Sequence, residues 1–216
     1  MSLDADRVRL LELLRTLSFE RRKVILASGK ESDFYVDCKR TALTAEGHVL
    51  VGRLLLDKVR KIRPLVRGVG GLTLGADPIA SAIALTSFLE YERGRAQGQP
   101  DEAAPERAGG PGGRERSEWP PGTVDAFIVR KEPKGHGTGQ WIEGRKTIPD
   151  GSRVVVIEDV VTTGGSALKA IERCRAENLV PVGCVALVDR LEGGREAIEA
   201  QAVPLDALFT RKDFIP

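Results

Sequence analysis

The spacing of apolar positions changes along this chain from a helical period to short extended runs and back, and each change predicts an element. Leu3, Leu10, Leu11, Leu14 and Leu17 recur at helical spacing with Asp4 or Asp6 available as a cap, which predicts an amphipathic helix from about Asp4 to Leu17. Between Lys23 and Arg40 a Ser28-Gly29 turn signal separates Val24-Ile25-Leu26 from Phe34-Tyr35-Val36, so two short extended pieces are expected there. Thr44 to Ile62 reads as a second helix, with Val49, Leu50, Leu54 and Val59 on its apolar side.

A strand–loop–helix rhythm follows. Leu65 to Val69 is a strand candidate that runs into the glycine-rich Gly68-Val69-Gly70-Gly71 and Gly75, and a helix is expected over Pro78 to Tyr91. Val124 to Val129 reads as a strand, and Val154-Val155-Val156-Ile157, within Arg153 to Glu158, is the continuous β-branched run of a buried parallel strand. Ser166 to Glu177 reads as a helix and Val182 to Val188 as a further strand. Strands alternating with helices predict an α/β fold, a central mostly parallel sheet flanked by helices.

One stretch breaks the rhythm. Gly94 to Pro121 holds 6 Gly and 5 Pro, with Trp119 its one large apolar residue, too little apolar surface to offset the entropy of ordering. It is expected to be a disordered insertion at 94–121 within a single domain spanning 1–216.

Composition narrows the function classes. The 216 residues are 41% hydrophobic and 30% charged, as in an ordinary globular domain, and the formal net charge of +2 supplies no basic field for nucleic acid. In 94–121 four Arg are outnumbered by five Asp and Glu, which also argues against a nucleic-acid partner. Cys38, Cys174 and Cys184 form no Cys-x-x-Cys pair, so a reducing cytoplasm is expected. His48 and His136 are too far apart for a local zinc motif, Met1 to Arg9 is too charged for a signal peptide, and no apolar run nears the roughly 18 residues of a membrane span.

The chemistry concentrates in Val154-Val155-Val156-Ile157-Glu158-Asp159-Val160-Val161-Thr162-Thr163-Gly164-Gly165-Ser166. A buried strand delivers two adjacent carboxylates to its C-terminal end, where ligands of open α/β sheets sit. Gly164 and Gly165 let backbone N–H groups approach a phosphate, the helix start at Ser166 adds free N–H groups and a positive dipole end, and Thr162, Thr163 and Ser166 add hydroxyls. A carboxylate pair beside a phosphate loop suits a ligand carrying both a phosphate and a diol: the loop holds the one, Glu158 and Asp159 accept hydrogen bonds from the other. A solvated acidic turn would not need the whole string, and the string has neither the Lys of a Walker loop nor the spacing of a dinucleotide fingerprint.

This string resembles the phosphoribosyl pyrophosphate (PRPP) motif of type I phosphoribosyltransferases. The resemblance implies that family's fold, with a small N-terminal hood, and PRPP contacts from Glu158 through Ser166. A second segment, Arg130-Lys131-Glu132-Pro133-Lys134-Gly135-His136-Gly137, is by composition a basic hairpin just past a strand, but its spacing is similar to the catalytic loop of orotate phosphoribosyltransferases. Carried over, Arg130, Lys131, Lys134 and His136 meet the pyrophosphate, and Lys131 and Asp159 are the catalytic residues. A third, Val185-Ala186-Leu187-Val188-Asp189-Arg190, ends a strand in Asp-Arg, where the family binds the orotate carboxylate; this maps to Arg190, with Thr162 also meeting orotate. Leu26-Ala27-Ser28-Gly29 followed by Phe34-Tyr35 is similar to the family's N-terminal pattern, although many members carry Lys where Ala27 stands, and no Lys precedes the helix in Gly70 to Pro78, where pyrophosphate contacts would fall to backbone N–H groups.

The resemblance implies transfer of a phosphoribosyl group to orotate in pyrimidine synthesis. Mg²⁺ would be held by substrate and water with no direct protein ligand, and the protein would be a homodimer with shared sites. Transfer to another base, or a regulator that binds PRPP without chemistry, is the alternative; the intact basic loop, Arg190 and the lack of a visible nucleic-acid-binding region count against these.

Overall fold

The computed structural model describes residues 2–22, 24–25, 31–62, 66–98, 120, 122–133 and 140–215. The first helix, α1 (Leu3–Leu13), is capped by Ser2, whose Oγ accepts the Ala5 N–H at 3.3 Å. Neither Asp4 nor Asp6 is the cap, as the leucine spacing had suggested. Asp6 is instead fully buried and pairs at 3.0 Å with Arg53. A π-helical turn, Leu14–Ser18, carries the helix into the next segment.

Both extended pieces expected between Lys23 and Arg40 are present, at Val24–Ile25 and Tyr35–Val36, and each pairs with a further short strand. β1 (Phe19–Glu20) pairs antiparallel with β4 (Tyr35–Val36), and β2 (Val24–Ile25) with β3 (Glu31–Ser32). A short helix, α2 (Lys39–Ala42), leads to α3 (Ala45–Ile62), which buries Leu50, Val51, Leu54, Leu55 and Val59. Val49, expected on that apolar side, is 56% exposed. The buried arc of α3 is turned so that Gly52 abuts the next long helix, α4 (Asp77–Ala96); a Cβ at Gly52 would lie 2.7 Å from the Ala82 carbonyl.

The glycine run predicted to follow a strand is itself the strand. β5 (Gly68–Leu72) lies between two neighbours, and its glycines admit them: a Cβ at Gly70 would sit 2.1 Å from the Phe127 carbonyl, and one at Gly71 2.0 Å from the Ile157 carbonyl. Helix α4 continues five residues past Tyr91, so Gly94, Arg95 and Ala96 are helical rather than part of an insertion. Arg95 lies over the Tyr91 ring, one turn back, at 5.7 Å, and Arg93 and Arg95 suit the negative end of the helix. Residues 99–119 and 121 of the Gly- and Pro-rich stretch lie outside the described residues.

The remaining elements are β6 (Asp125–Val129), β7 (Ile142–Glu143), β8 (Arg153–Val161), α5 (Gly165–Ala176), β9 (Val180–Asp189), α6 (Gly194–Glu199), β10 (Leu205–Thr210) and α7 (Arg211–Phe214). The main sheet has six strands in the order β10-β9-β8-β5-β6-β7, parallel throughout except for the β6–β7 edge. From Val154 to Ile157 successive β8 side chains alternate between two cores, and the alternation is broken before Val161. Val155 and Ile157 join Leu55, Ile79 and Ile83 on the side of α3 and α4, while Val154, Val156 and Val161 join Ala167, Ile171 and Ile198 on the side of α5 and α6. An aromatic cluster ties the N-terminal segment to the C-terminal helix, with ring centroids 5.1 Å apart for Phe19–Phe34 and 5.5 Å for Phe34–Phe214. Among the described residues no helix is long and apolar enough to cross a membrane.

Candidate active site

β8 is longer than its β-branched run suggested. It continues through Glu158, Asp159, Val160 and Val161, because pairing with β9 persists to Val160↔Val188 and Val161↔Asp189. The acid pair is therefore held in the sheet, not in the loop, and strand alternation sends the two side chains to opposite faces.

Glu158 turns toward the α5 side. It is 5% exposed, its Oε1 meets no hydrogen-bond partner among the described residues, and burial, with the neighbouring Asp159 charge, pushes its carboxyl well above the usual carboxylate range. Asp159 turns toward the turn before α4: a Cβ on Gly75 would lie 2.4 Å from its Oδ1. Burial raises the Asp159 carboxyl, while the Lys39 charge and the Val160 N–H, which donates to Oδ1 at 2.9 Å, pull it down.

Composition and motif reading did not single out Asp37, Cys38 and Lys39. The Cys38 thiol donates to the Asp159 carbonyl at 3.6 Å, and Lys39 is locked to Asp37 at 2.7 Å. The hood thus reaches the acid pair by residues 37–39, and only its proximity in space reveals this.

The phosphate loop follows. Gly164 takes a left-handed conformation (φ 82°) as the residue before α5, where no side chain caps the helix. Thr163, Gly165 and Ser166 are exposed, a Cβ at Gly165 would meet nothing within 4 Å, and no side chain caps the first amides of α5. Free amides at a helix start, with the dipole behind them, form an anion site.

Arg190 stands at the end of the adjacent strand. Its side chain is 7% exposed, its backbone N–H donates to the Val161 carbonyl at 2.9 Å, its guanidinium lies 5.3 Å from the Phe34 ring centroid, and Nη2 is 3.0 Å from Glu192 Oε1. The turn after Arg190 packs on the phosphate loop: a Cβ at Gly194 would sit 2.5 Å from the Thr162 carbonyl and 2.9 Å from the Gly164 N. The predicted phosphate loop and the predicted carboxylate-binding arginine are thus in direct backbone contact.

The basic segment starts two strands away, at the end of β6. Arg130 Nη1 pairs with Glu143 Oε1 at 3.0 Å, and its backbone N–H donates to the Trp141 carbonyl at 2.9 Å. The Thr73 N–H donates to the Val129 carbonyl at 2.9 Å, so the basic segment begins beside the turn that faces Asp159. In that turn Thr73 donates to Asp77 Oδ2 at 2.7 Å, and the Thr73–Leu74 peptide is cis. Lys131 is exposed; Lys134, His136 and Ala27 lie outside the described residues.

A glycine- and hydroxyl-rich loop, a carboxylate pair and a cationic segment at one edge of a parallel sheet define the class of protein, and comparison agrees: residues 123–206 match the phosphoribosyl transferase domain family. A protein named orotate phosphoribosyltransferase from Sorangium cellulosum is 45% identical over 98% of this chain and 94% of its own length, and one of the same name from Aquifex aeolicus is 41% identical over 88% and 85%. The crystal structure of Mycobacterium tuberculosis orotate phosphoribosyltransferase in complex with PRPP is 34% identical, covers 97% of this chain and 98% of its own, and superposes with a TM-score of 0.66. This chain belongs to the orotate phosphoribosyltransferase family.

Proposed function

We infer that this protein transfers the phosphoribosyl group of PRPP to orotate, giving orotidine 5′-phosphate and pyrophosphate in pyrimidine synthesis. The likeness to orotate phosphoribosyltransferases over 98% of the chain carries the inference, and the contact between the loop after β8 and the turn after Arg190 supports it. In this reading Thr162, Thr163, Gly164, Gly165 and Ser166 hold the 5′-phosphate, with Val160 and Val161 setting the loop in register. Glu158 and Asp159 accept the ribose hydroxyls, and Arg190, with Thr162, meets the orotate. Arg130, Lys131, Lys134 and His136 surround the pyrophosphate, Lys131 neutralising the charge that grows as the C1–O bond breaks.

A Mg²⁺ requirement belongs to the proposal. The donor set suits an ion carried by substrate oxygens and water, since Glu158 keeps a buried oxygen that meets no hydrogen-bond partner among the described residues and Asp159 follows it in the chain. When bound, the ion would offset charge on the departing pyrophosphate. The proposal further includes a homodimer in which Lys131 serves the partner's site. It is supported by exposed Val49, Leu85, Phe88 and Leu89 on α3 and α4, with exposed Leu43 and Leu74 just before those helices. Three free, buried cysteines fit a reducing cytoplasm.

The test is a panel of bases with PRPP and Mg²⁺, followed by pyrophosphate release. Orotate should be turned over and EDTA should stop it. Turnover of hypoxanthine, adenine or uracil without orotate would assign another substrate, and PRPP binding with no turnover of any base would point to a regulator.

A further inference from the structure

Arg190 has an acidic neighbour that the transfer reaction does not use. Its backbone is held by the bond to the Val161 carbonyl, and its guanidinium lies beside the Phe34 ring. Burial pushes its pKa below the usual guanidinium range, and the nearby Arg211 charge adds to this, while Glu192 opposes both. A cation so placed needs an anion close by in the absence of substrate, because a buried charge without a counter-charge is strongly disfavoured. Glu192 Oε1, 3.0 Å from Nη2, supplies one with a carboxylate, the same group orotate would bring.

The two partners differ in freedom. Glu192 sits on a turn between Leu191 (φ 59°) and Gly193 (φ 88°), and a Cβ at Gly193 would meet nothing within 4 Å. The turn is pinned on either side of Glu192: Asp189 Oδ1 accepts the Leu191 N–H at 2.8 Å, and Asp189 Oδ2 holds Arg195 of α6 at 3.2 Å. Glu192 can therefore swing away while the Arg190 backbone and the Gly194–Gly164 contact stay in place.

We propose that Glu192 is the resident counter-ion of Arg190 and a specificity-determining residue, which the carboxylate of the incoming base must displace. It rests on the reading of Arg190 as the orotate carboxylate's partner. A neutral pyrimidine has nothing to offer in exchange for the Glu192 carboxylate, so the pair filters for an acidic base. The filter lowers the apparent affinity for the right substrate by the fraction of molecules in which Glu192 has swung off Arg190: held in about nine molecules of ten, the pair costs orotate about tenfold.

The experiment compares wild type with Glu192→Gln, which keeps the shape and loses the charge. The KM for orotate should fall about three- to tenfold, with the KM for PRPP within about twofold of wild type and uracil gaining nothing. Calorimetric titration of Glu192→Ala with orotate, after its thermal midpoint shows it folded, should show tightening in the same direction. An unchanged or raised orotate KM in an orotate-active enzyme overturns the proposal and leaves the assignment of orotate intact. An equal gain for uracil, or a parallel fall in the PRPP KM, would make Glu192 a steric gate or a structural residue and overturns it too. A wild type that does not use orotate overturns the functional reading and this proposal together.

Discussion

β8 and β9 are parallel neighbours paired up to Val161↔Asp189, yet their ends solve opposite electrostatic problems. The β8 end places two carboxylates in a poorly solvated position and relieves them only in part, through the distant Lys39 and a backbone N–H on Asp159. The β9 end buries a guanidinium and places a carboxylate against it from the next turn. The first end answers burial by raising carboxyl pKa values, the second by ion pairing. A carboxyl can shed its charge by taking up a proton, whereas a guanidinium cannot readily lose one. The difference is therefore dictated by the residue types.

The largest expected effect tests whether the acidic end is completed by a second subunit. Lys131→Ala and Asp159→Asn homodimers should each be nearly inactive. Mixing them with subunit exchange makes about half the dimers hybrid, with both lesions in one site and the other site intact, so about a quarter of wild-type activity should return. Activity that stays at the single-mutant level after exchange is confirmed would place Lys131 in its own subunit's site.

Removing the cation from the second end comes next. Arg190→Ala should raise the KM for orotate about ten- to a hundredfold, since a charged hydrogen bond contributes about 1.5–3 kcal/mol. The KM for PRPP should change little, and equal losses for both substrates would make Arg190 structural.

Gly194→Ala attacks the contact that joins the two ends. The new methyl would meet the Thr162 carbonyl and the Gly164 N, backbone atoms that cannot step aside cheaply. A stability loss of about 1–3 kcal/mol is expected from overpacking, with the KM for both substrates rising together. A rise for only one would show that the ends are set independently.

A subtler effect concerns pH. Burial raises the Glu158 carboxyl well above 4.5, so the folded protein keeps a proton that the unfolded chain releases. That contribution to stability is complete below 4.5 and is lost as pH rises through the folded value. The thermal midpoint of Glu158→Gln relative to wild type should accordingly climb with pH across that window; a flat difference would show that Glu158 is ionised at no cost. The smallest effect is expected from replacing residues 99–119 with a short Gly-Ser bridge. Thermal midpoint and turnover should stay near wild type, given how little apolar surface that segment offers.

Much of the β8 end was legible in the chain. Val154 to Ile157 could hardly be anything but a buried strand, and Thr162 to Ser166 could hardly follow it without opening a helix. These are local patterns with one low-energy reading. The β9 end was legible only at Arg190. Its partner Glu192 is two residues away, but nothing in Leu191-Glu192-Gly193-Gly194 says that the chain turns back left-handed and returns the carboxylate to the arginine.

By itself the sequence determined the alternation of strands and helices, the acid pair and the loop after it, because hydrophobic period, β-branching and glycine spacing act over a few neighbouring bonds. It misplaced β5, because glycines read as a loop until Phe127 and Ile157 are seen to press against them. It ended α4 too early, and it could not show Lys39 and Cys38 beside Asp159, 121 positions from Cys38. The tertiary structure alone decided which face of β8 each acid takes, that the turns after β8 and β9 touch through Gly164 and Gly194, and that Arg190 is buried with an anion at hand. These follow from close packing and desolvation, which depend on groups far apart in the chain and so leave no mark in its local pattern.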